Sequence, residues 1–247
     1  MASLCISDET TSHSTAQARL REILGAVTAN ARAALTGEEP DHDELSVRIL
    51  ESARSLFARF GPGRTTIDDV ARAADVSRIT VYRRFSTKDE LIEAVVRGEF
   101  QRYFDRFQLD IAECTTVADR VAVGFASSLL YIRKNDLIRA IMTAEPGEFI
   151  SSILGDRGTT QTVVRTYVAN RLREEQTANN LPANVDADLV AEVMVRLTTS
   201  FLLTPSALID LDDAESLKNV ARIALVPLLQ LPEQQRPRRA SRSPSAS

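Results

Sequence analysis

Cysteine is nearly missing from this 247-residue chain: Cys5 and Cys114 are the only 2, far apart. No second thiol stands at ligand spacing, which excludes a disulfide framework and a thiolate zinc site, and Cys114 reads as a small core residue. Histidine is equally scarce. Its 2 copies, His13 and His42, both fall before residue 46, so the rest of the chain has no histidine general base, metal ligand or Ser-His-Asp triad. The 9 glycines are scattered, and "GDRG" at 155–158 reads as a turn rather than a phosphate-binding loop. Glu113, Glu145, Glu148 and Glu192 show no spacing beyond that of solvated helix faces. No run approaches the roughly 18 apolar residues of a membrane span, and the N-terminus lacks a basic stretch followed by an apolar core. These absences predict a cytoplasmic protein with no cofactor, no metal and no membrane contact, and they leave enzymatic chemistry little to work with.

What is present is a core-forming composition, 44% hydrophobic and 26% charged, with its charge unevenly spread. The net charge is -4, yet residues 46 to 106 hold 12 basic and 9 acidic side chains. A local positive excess inside an acidic protein is what contact with a polyanion needs. The ends differ from the middle. Residues 1–45 form an acidic extension with one amphipathic helix (Leu20, Ile23, Leu24, Val27, Ala31 and Leu35 at helical spacing), and "PEQQRPRRASRSPSAS" at 232–247 reads as a disordered basic tail.

Between the ends apolar residues recur every three or four positions and no run alternates, which predicts an all-α fold. The first helix, 46–60, carries Ile49, Leu50, Ala53, Leu56, Phe57 and Phe60 on one face, and "GPG" at 61–63 stops it. A second short helix starts at Thr66, whose side chain is placed to cap it, with Asp68 and Asp69 in the first turn. "DVS" at 75–77 is then too brief for anything but a sharp corner. Asp75 can take the left-handed backbone such a corner demands, Val76 plugs it, and Ser77 caps a third helix at 78–85. A fourth follows from "STKDEL", with Thr87 and Glu90 at capping-box spacing.

The third helix shows what this arrangement is for. With Val81 and Phe85 turned inward, a step of about 100° per residue puts Ile79, Thr80 and Arg83 opposite, Tyr82 and Arg84 on the flanks and Arg78 at the exposed start. From Val76 to Lys88 there is no acid. That is the chemistry of reading a duplex. Arginine can bind the O6 and N7 of guanine, the methyl groups of isoleucine and threonine can meet that of thymine, and tyrosine can donate to a phosphate. Two helices joined by a corner supply the geometry, the second entering the major groove.

At these residues the chain resembles the DNA-binding domain of the TetR (tetracycline repressor) family of bacterial transcription regulators. The resemblance runs from about Leu45 to Glu93 and rests on "LFARFG" followed by "TTIDDVARAADVSRITVYRRFSTKDELI"; Asp75 departs from the glycine usual in that family. It implies an N-terminal three-helix helix-turn-helix domain at 46–93 and a C-terminal helical ligand-binding and dimerisation domain at 94–231. Thr66 and Lys88 then fall where the family touches phosphates, Tyr82 where it clamps the backbone, and Arg78, Ile79, Thr80 and Arg83 where it reads bases. Arg64, just before the second helix, is a further phosphate candidate.

The C-terminal half is cut into helices at 87–108, 115–134, 135–144, 157–179, 186–203 and 212–230. By resemblance the last two pair with their copies in a second subunit as a four-helix bundle. "FQRYFDRF" places Phe100, Tyr103, Phe104 and Phe107 on one stripe, either plain core or the wall of a pocket. In the pocket reading Phe104, Phe107, Phe125, Leu129, Met142, Phe149 and Tyr167 line it and suit an apolar or amphipathic effector. The expected protein is a ligand-responsive regulator, a repressor by the family's commoner outcome, that binds a palindromic double-stranded operator as a homodimer. The alternatives are an enzyme, which the missing histidines disfavour, and a helical adaptor or small-molecule-binding protein without sequence-specific DNA binding.

Overall fold

The computed structural model describes residues 43–144, 159–204 and 206–230, and all their regular structure is helical. The helix expected at residues 20–35, the tail from 232 and Phe149 lie outside the described residues. Helix α1 (Glu44–Phe60) begins two residues earlier than its apolar pattern requires because Asp43 caps it, accepting from the Ser46 amide at 3.1 Å. It ends where Gly61 turns to φ 80, a conformation that costs glycine nothing. Ile49, Ala53 and Phe57 are buried, whereas Phe60, expected on that same face, is half exposed with the Arg59 guanidinium 5.0 Å from its ring centroid.

Helix α2 (Ile67–Ala73) and helix α3 (Arg78–Arg84) meet at the corner the sequence calls for. Asp75 has φ 52; its amide donates to the Arg72 carbonyl at 3.3 Å and that of Val76 to the Ala71 carbonyl at 2.9 Å, the paired bonds of a Schellman motif. The left-handed residue satisfies α2's last carbonyls and redirects the chain into α3. Val76 packs half-buried on the core formed by Ile49, Phe57, Val70, Val81, Phe85 and Leu91.

Helix α4 (Lys88–Ala112) is longer than its apolar pattern suggests and runs unbroken through residues 93 and 94, where the two domains are expected to divide. Thr87 caps it by accepting from the Glu90 amide at 3.0 Å, but the Glu90 carboxylate reaches back to the amide of Ser86, at 2.7 Å, rather than to that of Thr87. The body is completed by α5 (Val117–Lys134), α6 (Asp136–Ala144), α7 (Thr159–Thr177), α8 (Ala187–Leu203) and α9 (Ala214–Ala224). The last expected helix, 212–230, is two pieces, α9 and a 3-10 turn at Val226–Gln230. Pro227 has no amide to donate and its ring crowds the preceding turn, which is reason enough for the break. Helix α6 packs back on α1, and its Leu137 joins the core of the N-terminal head, so head and body share buried surface.

Candidate nucleic-acid interface and the cavity behind it

Capping sets the outward face of α3. Ser77 accepts from the Thr80 amide at 3.1 Å and its hydroxyl lies 2.8 Å from that of Thr80, so Thr80 is half-buried and engaged in the cap. Ile79 is left 72% exposed, an expensive position for a branched apolar side chain unless something covers it. Tyr82 and Arg83 are exposed beside it. Arg78 is held at the helix start by Asp68 at 3.1 Å, with its guanidinium 5.4 Å from the Tyr82 ring centroid. The Tyr82 side chain and then the Asp68 charge raise the already high pKa of Arg78, so it stays cationic.

The helix starts that flank α3 are equally defined. Thr66 and Asp69 form a reciprocal capping box in which the Thr66 hydroxyl accepts from the Asp69 amide at 3.2 Å and the Asp69 carboxylate accepts from the Thr66 amide at 3.0 Å. These bonds from Thr66 hold the Asp69 carboxyl below its ordinary range. Lys88 donates to the Gly63 carbonyl at 3.2 Å, tying the start of α4 to the loop before α2. Arg64, in that loop, and Arg83 are exposed and form no ion pair among the described residues. Arg84 instead pairs with Asp43 at 2.6 Å and thereby braces the start of α1. The structure thus gathers Arg64, Thr66, Arg78, Ile79, Thr80, Tyr82, Arg83 and Lys88 on α3, on the loop before α2 and at the two helix starts beside it.

Behind this head α4, α5, α6, α7 and α8 line a half-open cavity of about 660 Å³. Of the expected lining residues, Phe107, Phe125 and Tyr167 stand on its wall. Phe104 does not: it is buried with its ring 4.8 Å from that of Tyr167, behind the wall. Leu129 is also off the wall because it faces α9, in a core with Leu217, Ala221 and Leu225. Met142 is half-buried on α6 and likewise off the described wall.

Several wall residues were missed from the sequence, the charged Glu99 and Arg120 among them. Glu99 is 6% exposed and joins head to body: the Arg54 Nε of α1 donates to it at 2.7 Å, the Tyr131 hydroxyl of α5 at 2.6 Å, and the Asn135 amide also donates to it. Burial alone would push the Glu99 carboxyl up, but the Arg54, Tyr131 and Asn135 hydrogen bonds outweigh it and leave the carboxyl below its usual range. Burial and the same hydrogen bond push the Tyr131 phenol well up, so it stays a neutral donor. Glu99 stands four residues before Tyr103, on the aromatic stripe itself. A carboxylate interrupting an apolar stripe is the signal that could have found it.

A small helical head that presents an exposed basic helix after a tight corner, backed by a helical body, defines a helix-turn-helix DNA-binding protein. Residues 49–95 match the family described as bacterial regulatory proteins, tetR family. An uncharacterized HTH-type transcriptional regulator of Mycobacterium tuberculosis is 26% identical over 182 residues, 74% of this chain and 84% of that protein. An HTH-type transcriptional repressor of the same organism is 43% identical over 54 residues, 22% of this chain and 29% of its own. Among solved structures, Salmonella enterica GusR superposes with a TM-score of 0.56 at 22% identity, covering 78% of this chain and 98% of that one. The TetR family repressor AlkX of a Dietzia strain, implicated in n-alkane biodegradation, gives a TM-score of 0.51 at 22% identity over 78% of this chain and 98% of its own. Residues 49–95 thus carry a TetR-family DNA-binding domain, and the likeness to curated transcriptional regulators supports a DNA-binding regulator of that family rather than an enzyme. Among the described residues no helix is long and apolar enough to cross a membrane.

Proposed function

We propose that this protein is a homodimeric repressor that binds a palindromic operator and is released by an apolar or amphipathic small molecule. The observation that carries this reading is the continuity of α4. Its first residue, Lys88, stands beside α3, and its later turns, with Glu99, Tyr103 and Phe107, form the cavity wall. A molecule filling the cavity can therefore bias the position of the head. It does so only to the extent that it binds the DNA-incompetent arrangement more tightly than the competent one. On the head, Arg83, Ile79 and Arg78 would read bases while Lys88, Arg64, Thr66 and Tyr82 would hold phosphates.

Dimerisation through the last two helices is supported by apolar side chains left in water on both: Leu189 on α8 is 58% exposed and Ile223 on α9 is 70% exposed. The repressor sense follows the Mycobacterium tuberculosis repressor whose identity to this chain is confined to 54 residues. The domain division at 46–93 and 94–231 belongs to the same reading, as two functions joined by one helix.

The deciding experiment is selection of purified protein on a randomised duplex library at near-physiological salt. Enrichment of a palindrome establishes the dimeric reader. If nothing is enriched, denaturing extraction of the same sample separates a co-purified effector holding the heads apart from a head that does not read DNA, and the latter result refutes the proposal.

A further inference from the structure

Resting on the reading of the cavity as an effector site, we infer that its occupant is a single long aliphatic chain lying along α4, with its polar group at the end away from the head. The cavity follows one face of α4 almost from end to end: Ile92, Val96, Tyr103, Phe107 and Ala112 all stand on its wall. From Ile92 to Ala112 the helix rises roughly 30 Å, at about 1.5 Å per residue. A compact cavity of about 660 Å³ would be about 11 Å across and would border only about seven residues of a helix. This one is therefore drawn out, a shape that a flexible chain fills and a compact ring body leaves partly bare. A chain of about sixteen carbons, extended at about 1.25 Å per methylene, covers about 19 Å and reaches from Ala112 to the level of Glu99.

The two ends of the cavity differ, and the difference orients the chain. Every exposed residue on the described wall, namely Ala112, Arg171, Glu174 and Asn180, lies toward the end where α4 stops. Arg120 and Glu175 are at that end too, with Glu175 accepting from Arg120 at 2.8 Å and from the Asn180 amide at 2.9 Å. A polar group keeps its hydrogen bonds at this wet mouth and would lose them deeper in. The opposite end is apolar, and Phe57, Pro62, Val95 and Leu137 are all buried there. Between the ends the one ionic group on the described wall is Glu99, already engaged by Arg54, Tyr131 and Asn135. Phe57 and Pro62 belong to the head, at the end of α1 and in the loop before Arg64. A chain that passes Glu99 therefore approaches the head itself, whereas a short one stops in the body.

Chain length is the variable to test, with the polar group held constant: octanoate, dodecanoate and hexadecanoate, and 1-pyrenebutyrate as a ring-bodied control. Equilibrium dialysis of each against the full chain, below micelle-forming concentrations, measures affinity and stoichiometry. Each methylene taken from water should tighten binding about threefold, so hexadecanoate should bind at least tenfold more tightly than dodecanoate, saturating at one molecule per subunit. Ile132 stands on the wall beside Tyr131, which donates to Glu99 at 2.6 Å, and so lies level with the end of a sixteen-carbon chain. Ile132→Trp should abolish the preference for hexadecanoate over dodecanoate and leave octanoate binding unchanged. If that variant does not fold, the length series and its stoichiometry on the unaltered protein decide the question. Equal affinity for dodecanoate and hexadecanoate, tighter binding of pyrenebutyrate than of hexadecanoate, or a length preference that survives in folded Ile132→Trp overturns this inference while leaving the cavity an effector site. No binding by any of the four, nor by the neutral glycerol monoesters of the three fatty acids, overturns both.

Discussion

The link between Arg54 and Glu99 can be taken apart by mutation, and the structure fixes the order of the effects. Arg54→Ala leaves the Glu99 carboxylate with the neutral donors Tyr131 and Asn135 and with Arg102 at a longer 3.5 Å. Removing one member of a buried ion pair costs roughly 3 to 5 kcal/mol. The Arg54 side chain is 31% exposed, so its charge is partly screened by water. With two donors remaining, a loss of about 2 kcal/mol is expected. Glu99→Gln keeps the shape and an oxygen for Tyr131 and Asn135, but it turns an amide donor toward the Arg54 Nε; the expected loss is about 1.5 kcal/mol. Once either change is made the other has less to break, so the double variant should lose about 2 kcal/mol rather than the sum, a coupling of about 1.5 kcal/mol. Urea unfolding followed by circular dichroism at one fixed protein concentration measures all three, the concentration being held because the stability of a dimer depends on it. Losses that add to within about 0.5 kcal/mol would refute the direct link. The pH dependence has a definite sign. Burial opposes ionisation of Glu99 but the hydrogen bonds win, so its carboxyl lies below the ordinary range. Its contribution is therefore present at neutral pH and is lost as pH falls below the ordinary glutamate value, about 4.3, through its folded value. Glu99→Gln should flatten that acid-side decline.

Three further outcomes are expected. In operator binding at fixed salt, Arg83→Ala should cost roughly 1 to 3 kcal/mol and relax specificity at one position, whereas Lys88→Ala should weaken all sequences alike and flatten the salt dependence; an indifferent Arg83 would remove base reading from α3. Gly124→Ala would place a methyl group 2.8 Å from Cε2 of Phe107. The ring must move, so a loss of roughly 1 to 3 kcal/mol and a narrower cavity are predicted, and an unchanged melting temperature would contradict that packing. Asp75→Gly relieves a non-glycine residue at φ 52 and should raise the melting temperature slightly, by about 0.5 kcal/mol of stability after glycine's own entropic cost; a fall would mean that the Asp75 side chain supports the corner.

The head was legible in the sequence because its determinants are local. Thr66, Ser77 and Thr87 each act on an amide three residues on, Asp75 closes α2 through bonds to residues within the previous turn, and Val81 and Phe85 fix the buried side of α3 by helical period alone. The outward display of Ile79 and Arg83 then follows without tertiary information.

The body was legible only as a succession of helices. Apolar period says which face of α4 or α5 is buried but not which neighbour it meets, so Phe104 and Leu129 could be assigned to a core yet not separated from the cavity wall. Only the tertiary structure placed Glu99 against Arg54, 45 residues away, and Arg120 against Glu175, 55 residues away. Such pairings depend on how whole helices pack, and there the sequence alone stops. Repeating short-range contacts determined the reading head; long-range packing decided the cavity, its shape and the buried bond that ties the two together.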